Sequence, residues 1–155
     1  MRKKQYERGA DFAWQVLRQS VYATVSMVDG DGTPYATPVN VVGDESRSAL
    51  YFHCAGAGQR WALLQNGAPV CVTAVSTAAL IPHHFTTAYR SAIFRGRAQV
   101  VTDAAEKLHA MRLLCTAFDP DGMERFDASM AHCSAQVIRI TPEAITGKEH
   151  MTELL

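Results

Sequence analysis

Residues 21–54 read VYATVSMVDGDGTPYATPVNVVGDESRSALYFHC, and this stretch decides the fold class. From Val21 to Val28 apolar and polar residues alternate, with Val21, Ala23, Val25 and Met27 set against Tyr22, Thr24 and Ser26. That is the period of a half-buried strand. Asp29-Gly30-Asp31-Gly32 follows as a hairpin turn. A return strand over about Tyr35–Val42 contains Pro38, which has no N–H for a ladder and so predicts an edge, a bulge or an interrupted ladder. Polar Gly43–Arg47 turns the chain again, and the apolar run Ala49–Cys54 predicts a third strand. Three strands joined by two tight turns predict an antiparallel meander. The connections are too short for the crossovers of a parallel sheet.

The flanking sequence extends this pattern. Upstream, a short helix is expected at about Ala10–Gln19 with Phe12, Val16 and Leu17 inward. Downstream, a helix over Gly58–Gln65 is stopped by Asn66-Gly67. Val70–Val75 predicts the fourth strand and Ser76–Thr87 an irregular connector. Ala88–Val101 reads as a long strand bent at Gly96. Asp103 and Glu106 form a capping box for a helix with the stripe Ala104, Leu108, Met111, Cys115 and Phe118 inward and Glu106, Lys107, His109 and Arg112 in water. Ala135–Ile140 is the sixth strand, with a short tail strand at Ile145–Lys148. Six strands with few helices predict a mainly β, antiparallel barrel in a single domain spanning 1–155.

The 155 residues are 48% hydrophobic, enough to bury one core. Fifteen basic residues balance fifteen acidic ones, which argues against a nucleic-acid partner. Arg2-Lys3-Lys4 is not followed by an apolar segment, so no signal peptide is expected. No apolar run has the length of a membrane span. Cys54, Cys71, Cys115 and Cys133 show no paired spacing and read as free thiols. A cytoplasmic protein is expected.

Residues 50–65 carry the chemistry. The strand ends at Cys54, breaks at Gly56-Ala57-Gly58 and passes at once into a helix. The first N–H groups of a helix have no partner within it, and its dipole favours anions there. Instead of a Ser, Thr, Asp or Asn cap and an acid, this helix start offers Gly58, Gln59 and Arg60. A cation beside free N–H groups points to a bound anion such as a phosphate, although the glycines also serve as a plain turn. The third glycine of a dinucleotide fingerprint is missing, since position 61 is Trp. His53 precedes the turn and is either a ligand contact or a hydrogen-bonded strand residue.

Other motifs carry less. His83 and His84 are adjacent and point to opposite sides of an extended chain, which disfavours a shared metal. His132 and Cys133 with His53 and Cys54 match no common zinc spacing, so no metal is expected. There is no G-x-S-x-G elbow and no Walker loop. In Tyr89-Arg90-Ser91, Tyr89 and Ser91 share one face and Arg90 the other, which fits an exposed polar strand end.

Taken together, several segments resemble the FMN-binding split-barrel superfamily, within the pyridoxamine-phosphate-oxidase-like group and its nitroimidazole-resistance branch. They are Leu50–Cys54 with Gly58, Arg60, Leu63 and Leu64, then Thr33–Asn40, then Tyr89–Ala98, and finally Ile145–Lys148. The resemblance implies a six-stranded split β-barrel working as a homodimer with FMN in the interface. It also implies an FMN-dependent oxidoreductase of the flavin reductase or nitroreductase type, acting on a small, planar, electron-poor substrate. The FMN phosphate would meet Gly58, Gln59 and Arg60. Val39 and Asn40 would lie against the ring, with Phe52, His53 and Cys54 beside it. Tyr89, Arg90 and Ser91 would complete the pocket, from the partner chain in one arrangement. His53 is the expected catalytic residue, as proton donor or substrate contact. FAD and haem are the other cofactors considered, and a non-enzymatic flavin- or haem-binding module is the alternative, with His53, His83 or His84 as a haem ligand. The chain departs from the pyridoxamine oxidases at Gln59, where they carry a second basic residue, and in lacking their Arg-rich carboxyl terminus. Vitamin B6 oxidation is therefore not expected.

Overall fold

A computed structural model describes residues 3–151, so Met1, Arg2 and residues 152–155 lie outside it. Among the described residues there are eight strands: β1 (Glu7–Arg8), β2 (Ala23–Val28), β3 (Pro34–Val39), β4 (Val42–Asp44), β5 (Ala49–Cys54), β6 (Ala68–Ile81), β7 (Thr86–Val100) and β8 (Gln136–His150). All pair antiparallel in one sheet of order β3-β2-β6-β7-β8-β5-β4, with β1 added to β8. The helices are α1 (Ala10–Gln19), α2 (Gln59–Leu64), α3 (Ala104–Phe118) and α4 (Phe126–Met130).

The two ends of that strand order, β3 and β4, are consecutive in sequence and separated only by Asn40 and Val41. A flat sheet would hold its first and seventh strands about 29 Å apart. The three Cα steps from Val39 to Val42 can span only about 11 Å. The sheet therefore curls until its edges nearly meet, leaving a split that the chain crosses at Asn40-Val41. This is a split barrel, the expected class, with eight strands instead of six.

The crossing also corrects the expected meander. β3 pairs with β2, but the strand over Ala49–Cys54 pairs with β4 and β8 on the far side of the split. The return strand ends at Val39 because Asn40 leaves the ladder, its Nδ2 donating to the Val21 carbonyl at 2.8 Å. Pro38 lies on β3, an edge strand, where its missing N–H is tolerated. The expected connector Ser76–Thr87 is a continuation of β6 and β7, turning only at residues 82–85. Its backbone pairs although its side chains do not alternate. The tail strand is part of β8, whose register against β7 shifts at Arg95/Gly96, where Glu143 is the extra residue.

β5 reads as a continuous apolar run because both of its faces are covered. Leu50, Phe52 and Cys54 point into the barrel with Val25, Val72, Phe94, Ile138 and Ile140. α1 plugs that barrel through Ala13, Trp14, Val16 and Leu17, Trp14 lying 5.0 Å from the Phe94 ring. Ala49 and Tyr51 point outward into a second cluster with Val137, Ala110, Met111, Leu114 and Phe126.

α3 is rotated from the expected stripe. Asp103 caps it, accepting from the Glu106 N–H at 2.7 Å, but the Glu106 carboxylate does not return the bond. It accepts from the Tyr51 hydroxyl at 2.9 Å and from Arg139 Nη1 at 3.1 and 3.2 Å. Burial first, and then this carboxylate, push Tyr51 up to about 12. His109 Nε2 meets Asp44 Oδ2 at 2.7 Å. Glu106 and His109 thus face the sheet, while Leu108 is 45% exposed. Buried polar groups on β4 and β5 needed partners, and α3 turned to supply them.

Asp44 ties β4 to α3. Burial alone would raise its carboxyl, but hydrogen bonds from Ser46, His109 and the Arg47 N–H prevail, and it ionises below its ordinary value. A lowered folded value means a stabilising contribution that is present above the unfolded value near 4 and is lost as pH falls through the folded one. Asp44→Asn is expected to cost about 2 kcal/mol in urea unfolding at pH 7, and clearly less at pH 3. An equal cost at both values would show that the charge is not what matters.

Candidate functional site

The turn after β5 is built as the sequence implied. Gly58 sits at φ 90°, ψ 175°, a region open to glycine and hardly to other residues. The first helical bond runs from the Ala62 N–H to the Gly58 carbonyl at 3.0 Å. No side chain caps α2 and its first turn holds no acid, so the N–H groups of Gln59, Arg60 and Trp61 have no intrahelical acceptor. Buried Leu64 and partly buried Trp61 fix the helix to the barrel, and Gly67, at φ 79°, closes it by donating to the Leu64 carbonyl at 2.9 Å.

Arg60 is the telling residue. Its side chain is half-buried, and Nε is buried without a hydrogen-bond partner. An unpaired guanidinium N–H withdrawn from water is costly unless an acceptor arrives. The guanidinium lies against Cys54, whose thiol is pushed up by burial while Arg60 pulls it down. Gln59 is exposed at the same helix start. An unpaired guanidinium Nε, free helix N–H groups and a glycine that leaves open space around its Cα fit the phosphate of a nucleotide-like cofactor.

The other expected residues divide into groups. Phe52 and Cys54 are core side chains, 0% and 4% exposed, so only their backbone is available to a ligand. His53 points the other way and is exposed, opposite Val137 in the ladder. Val39 packs partly on the barrel core and Asn40 is exposed at the split. Two residues on, Val42 lies directly across from Tyr51. The split thus brings Val39 and Asn40 to the same side of the barrel as β5 and its turn.

Tyr89, Arg90 and Ser91 are elsewhere. Phe52 is level with Ile138 and Val100, whereas Ser91 is nine residues away along β7, roughly 30 Å of strand. Within one chain the ladder does not set the triplet at the level of the β5 residues. The triplet is also more engaged than an exposed strand end. Arg90 Nε donates to Glu149 Oε1 at 2.9 Å, and Arg8 Nε donates to the other oxygen at 3.0 Å. Tyr89 carries Lys148 Nζ 5.2 Å from its ring centroid and faces the His150 ring at 6.0 Å.

His83 and His84 stand exposed at the β6–β7 turn. Cys54 and Cys133 belong to different packing clusters, which separates the halves of the zinc arrangement weighed from sequence. Among the described residues no three His, Cys, Asp or Glu side chains converge, and no helix is long and apolar enough to cross a membrane. Sequence reading also missed a groove of about 410 Å3 between β2 and β6. The pairing that forms it joins residues some fifty positions apart, such as Thr24 and Thr73, and nothing local announces it.

No curated protein matches the chain in sequence. Several solved structures share its fold. A candidate 5-nitroimidazole antibiotic resistance protein from Bacteroides thetaiotaomicron is 24% identical with TM-score 0.73, covering 92% of this chain and 90% of that one. The flavocytochrome Anf3 from Azotobacter vinelandii is 19% identical with TM-score 0.78, covering 98% and 72%. An FAD-binding protein from Mycobacterium smegmatis is 18% identical with TM-score 0.65, covering 94% and 99%. Residues 10–149, from the first turn of α1 to the end of β8, match the family described as pyridoxamine 5′-phosphate oxidase, so the chain belongs to that flavin-binding split-barrel family.

Proposed function

We propose that the chain is an FMN-dependent oxidoreductase that reduces a small, planar, electron-poor substrate such as a nitroimidazole. The observation that carries the reading is the buried, unpartnered Arg60 Nε at an uncapped helix start. When bound, the flavin supplies the hydride chemistry. Gly58, Gln59 and Arg60 hold its phosphate, and Val39 and Asn40 lie against its ring. His53, exposed beside the turn, donates a proton to the substrate or orients it. The wide separation of Tyr89–Ser91 from this turn supports a homodimer in which the triplet of one copy completes the site of the other. Four free cysteines fit a reducing cytoplasm.

The test is turnover. Purified protein supplied with FMN and NADH or NADPH should reduce a nitroimidazole catalytically, and His53→Ala should lower the rate by about a hundredfold. A flavin that is bound but passes no electrons to any nitro acceptor would leave a binding module instead. A haem-binding module is the other form of that alternative, favoured by similarity to an FAD- and haem-binding protein from Mycobacterium smegmatis, and a Soret band would identify it.

A further inference from the structure

We propose that the groove between the end of α1, the start of β2 and the bulge of β6 binds a small, uncharged, planar molecule carrying a carbonyl or amide group, with Ser76 as its anchor. The groove encloses about 410 Å3, and none of its lining residues is charged. That volume falls in the range of small-molecule sites, roughly 300–1,000 Å3. One part of its wall is apolar: Val21, Tyr22 and Val75 are 75%, 59% and 48% exposed. The other part is polar, with Thr24 and Thr73 paired across β2 and β6 and Ser76 beside them.

The ladder runs Val75↔Ser91 and then Thr77↔Arg90, so Ser76 is the extra residue of a β-bulge. Bulges re-aim a side chain and are common beside functional sites. The Ser76 Oγ is buried and has no hydrogen-bond partner. A hydroxyl both donates and accepts, and leaving one unpaired out of water is costly. An apolar side chain at this position would avoid that cost, so the hydroxyl is explained by a ligand that completes it.

The lining selects the ligand's chemistry. A carboxylate or phosphate entering the groove would lose water and meet no cation, unlike an anion at Arg60. A neutral carbonyl or amide is satisfied by a hydroxyl alone. Tyr22 offers an aromatic face and the two valines offer broad aliphatic surface, so a flat ring makes the largest contact. The groove also adjoins two expected site residues, since the Val21 carbonyl accepts from Asn40 and Val75 pairs with Ser91. Its role as a substrate pocket therefore rests on the flavin reading, but its existence does not.

Nicotinamide and nicotinate share one ring and differ in charge, which makes them the probes. In amide-resolved NMR titrations of the protein as purified, nicotinamide should saturably shift Thr24, Thr73, Ser76 and Thr77, and nicotinate should not. Ser76→Ala should weaken nicotinamide about five- to tenfold and should not lower Tm, because no protein group loses a bond. Equal binding of both probes, shifts confined to other regions, or an unchanged affinity in Ser76→Ala would overturn the proposal. So would a Tm lower by several degrees, since it would show the hydroxyl to be bonded within the fold. Flavin content, read by absorbance on the same samples, reports separately: nicotinamide binding without any flavin uptake would sink the flavin reading and leave the groove standing.

Discussion

Arg60→Ala is expected to weaken FMN binding by roughly ten- to a hundredfold while leaving riboflavin binding within about threefold. The two ligands share a ring and differ in the phosphate, so the difference isolates the anion contact. The size follows from losing a charge-assisted hydrogen bond, or a bidentate pair, in a partly desolvated site. The fold should tolerate the change, because the Arg60 Nε holds nothing in this chain. Arg60→Lys should fall between, since a point charge replaces a planar fork. Fluorescence titration with both flavins gives the comparison. Equal losses for FMN and riboflavin would mean that Arg60 supports the pocket generally and does not read the phosphate.

Gly96→Ala is expected to prevent folding, at a cost above about 4 kcal/mol. Gly96 lies at the register shift of β7 on β8. A Cβ there would stand 2.0 Å from the Thr141 carbonyl oxygen and 2.8 Å from the Pro142 Cα. Both are backbone atoms, so no rotamer change relieves the clash, and only separation of the two longest paired strands would do so. Gly30→Ala is the control, because its Cβ would meet nothing within 4 Å in the hairpin turn. Soluble yield and Tm should be normal for Gly30→Ala and lost for Gly96→Ala. A Gly96→Ala protein melting within a few degrees of the parent would refute the packing described for this bulge.

What the sequence reveals and what it hides follow from the range of the interactions. α1 was legible to the residue because its apolar spacing is local, and α2 because Gly58 and Gly67 take conformations that glycine alone adopts easily. Pro38 announced an edge and Gly96 a bulge, each through a backbone property of one residue. Strand partners were not legible. Nothing in residues 35–54 says that β3 and β4 end on opposite edges of the sheet, because that depends on β2 pairing with β6 and β5 with β8. The rotation of α3 was hidden for a similar reason. Leu108 reads as core and His109 as surface until Asp44, sixty-five residues earlier, is found waiting for a partner.

For the site, the uncapped helix start was visible because its oddity is local: a cation and a glycine where a cap belongs. The division of the remaining residues was not. Tyr89–Ser91 matched a family pattern, but only the ladder places them nine or more residues along β7 from the level of Phe52. Phe52 and Cys54 were expected at the cofactor through the family resemblance, and strand alternation sends their side chains into the barrel, leaving only their backbone for such a contact. The unpaired hydroxyl of Ser76 becomes meaningful only once burial is known.

Whether this barrel holds FMN by its phosphate is decided by the absorption spectrum of the purified protein, followed by identification of the released cofactor. A flavin spectrum is expected, or its appearance on titration with FMN, with close to one FMN per chain. A colourless protein that takes up no FMN at any concentration tested would contradict it.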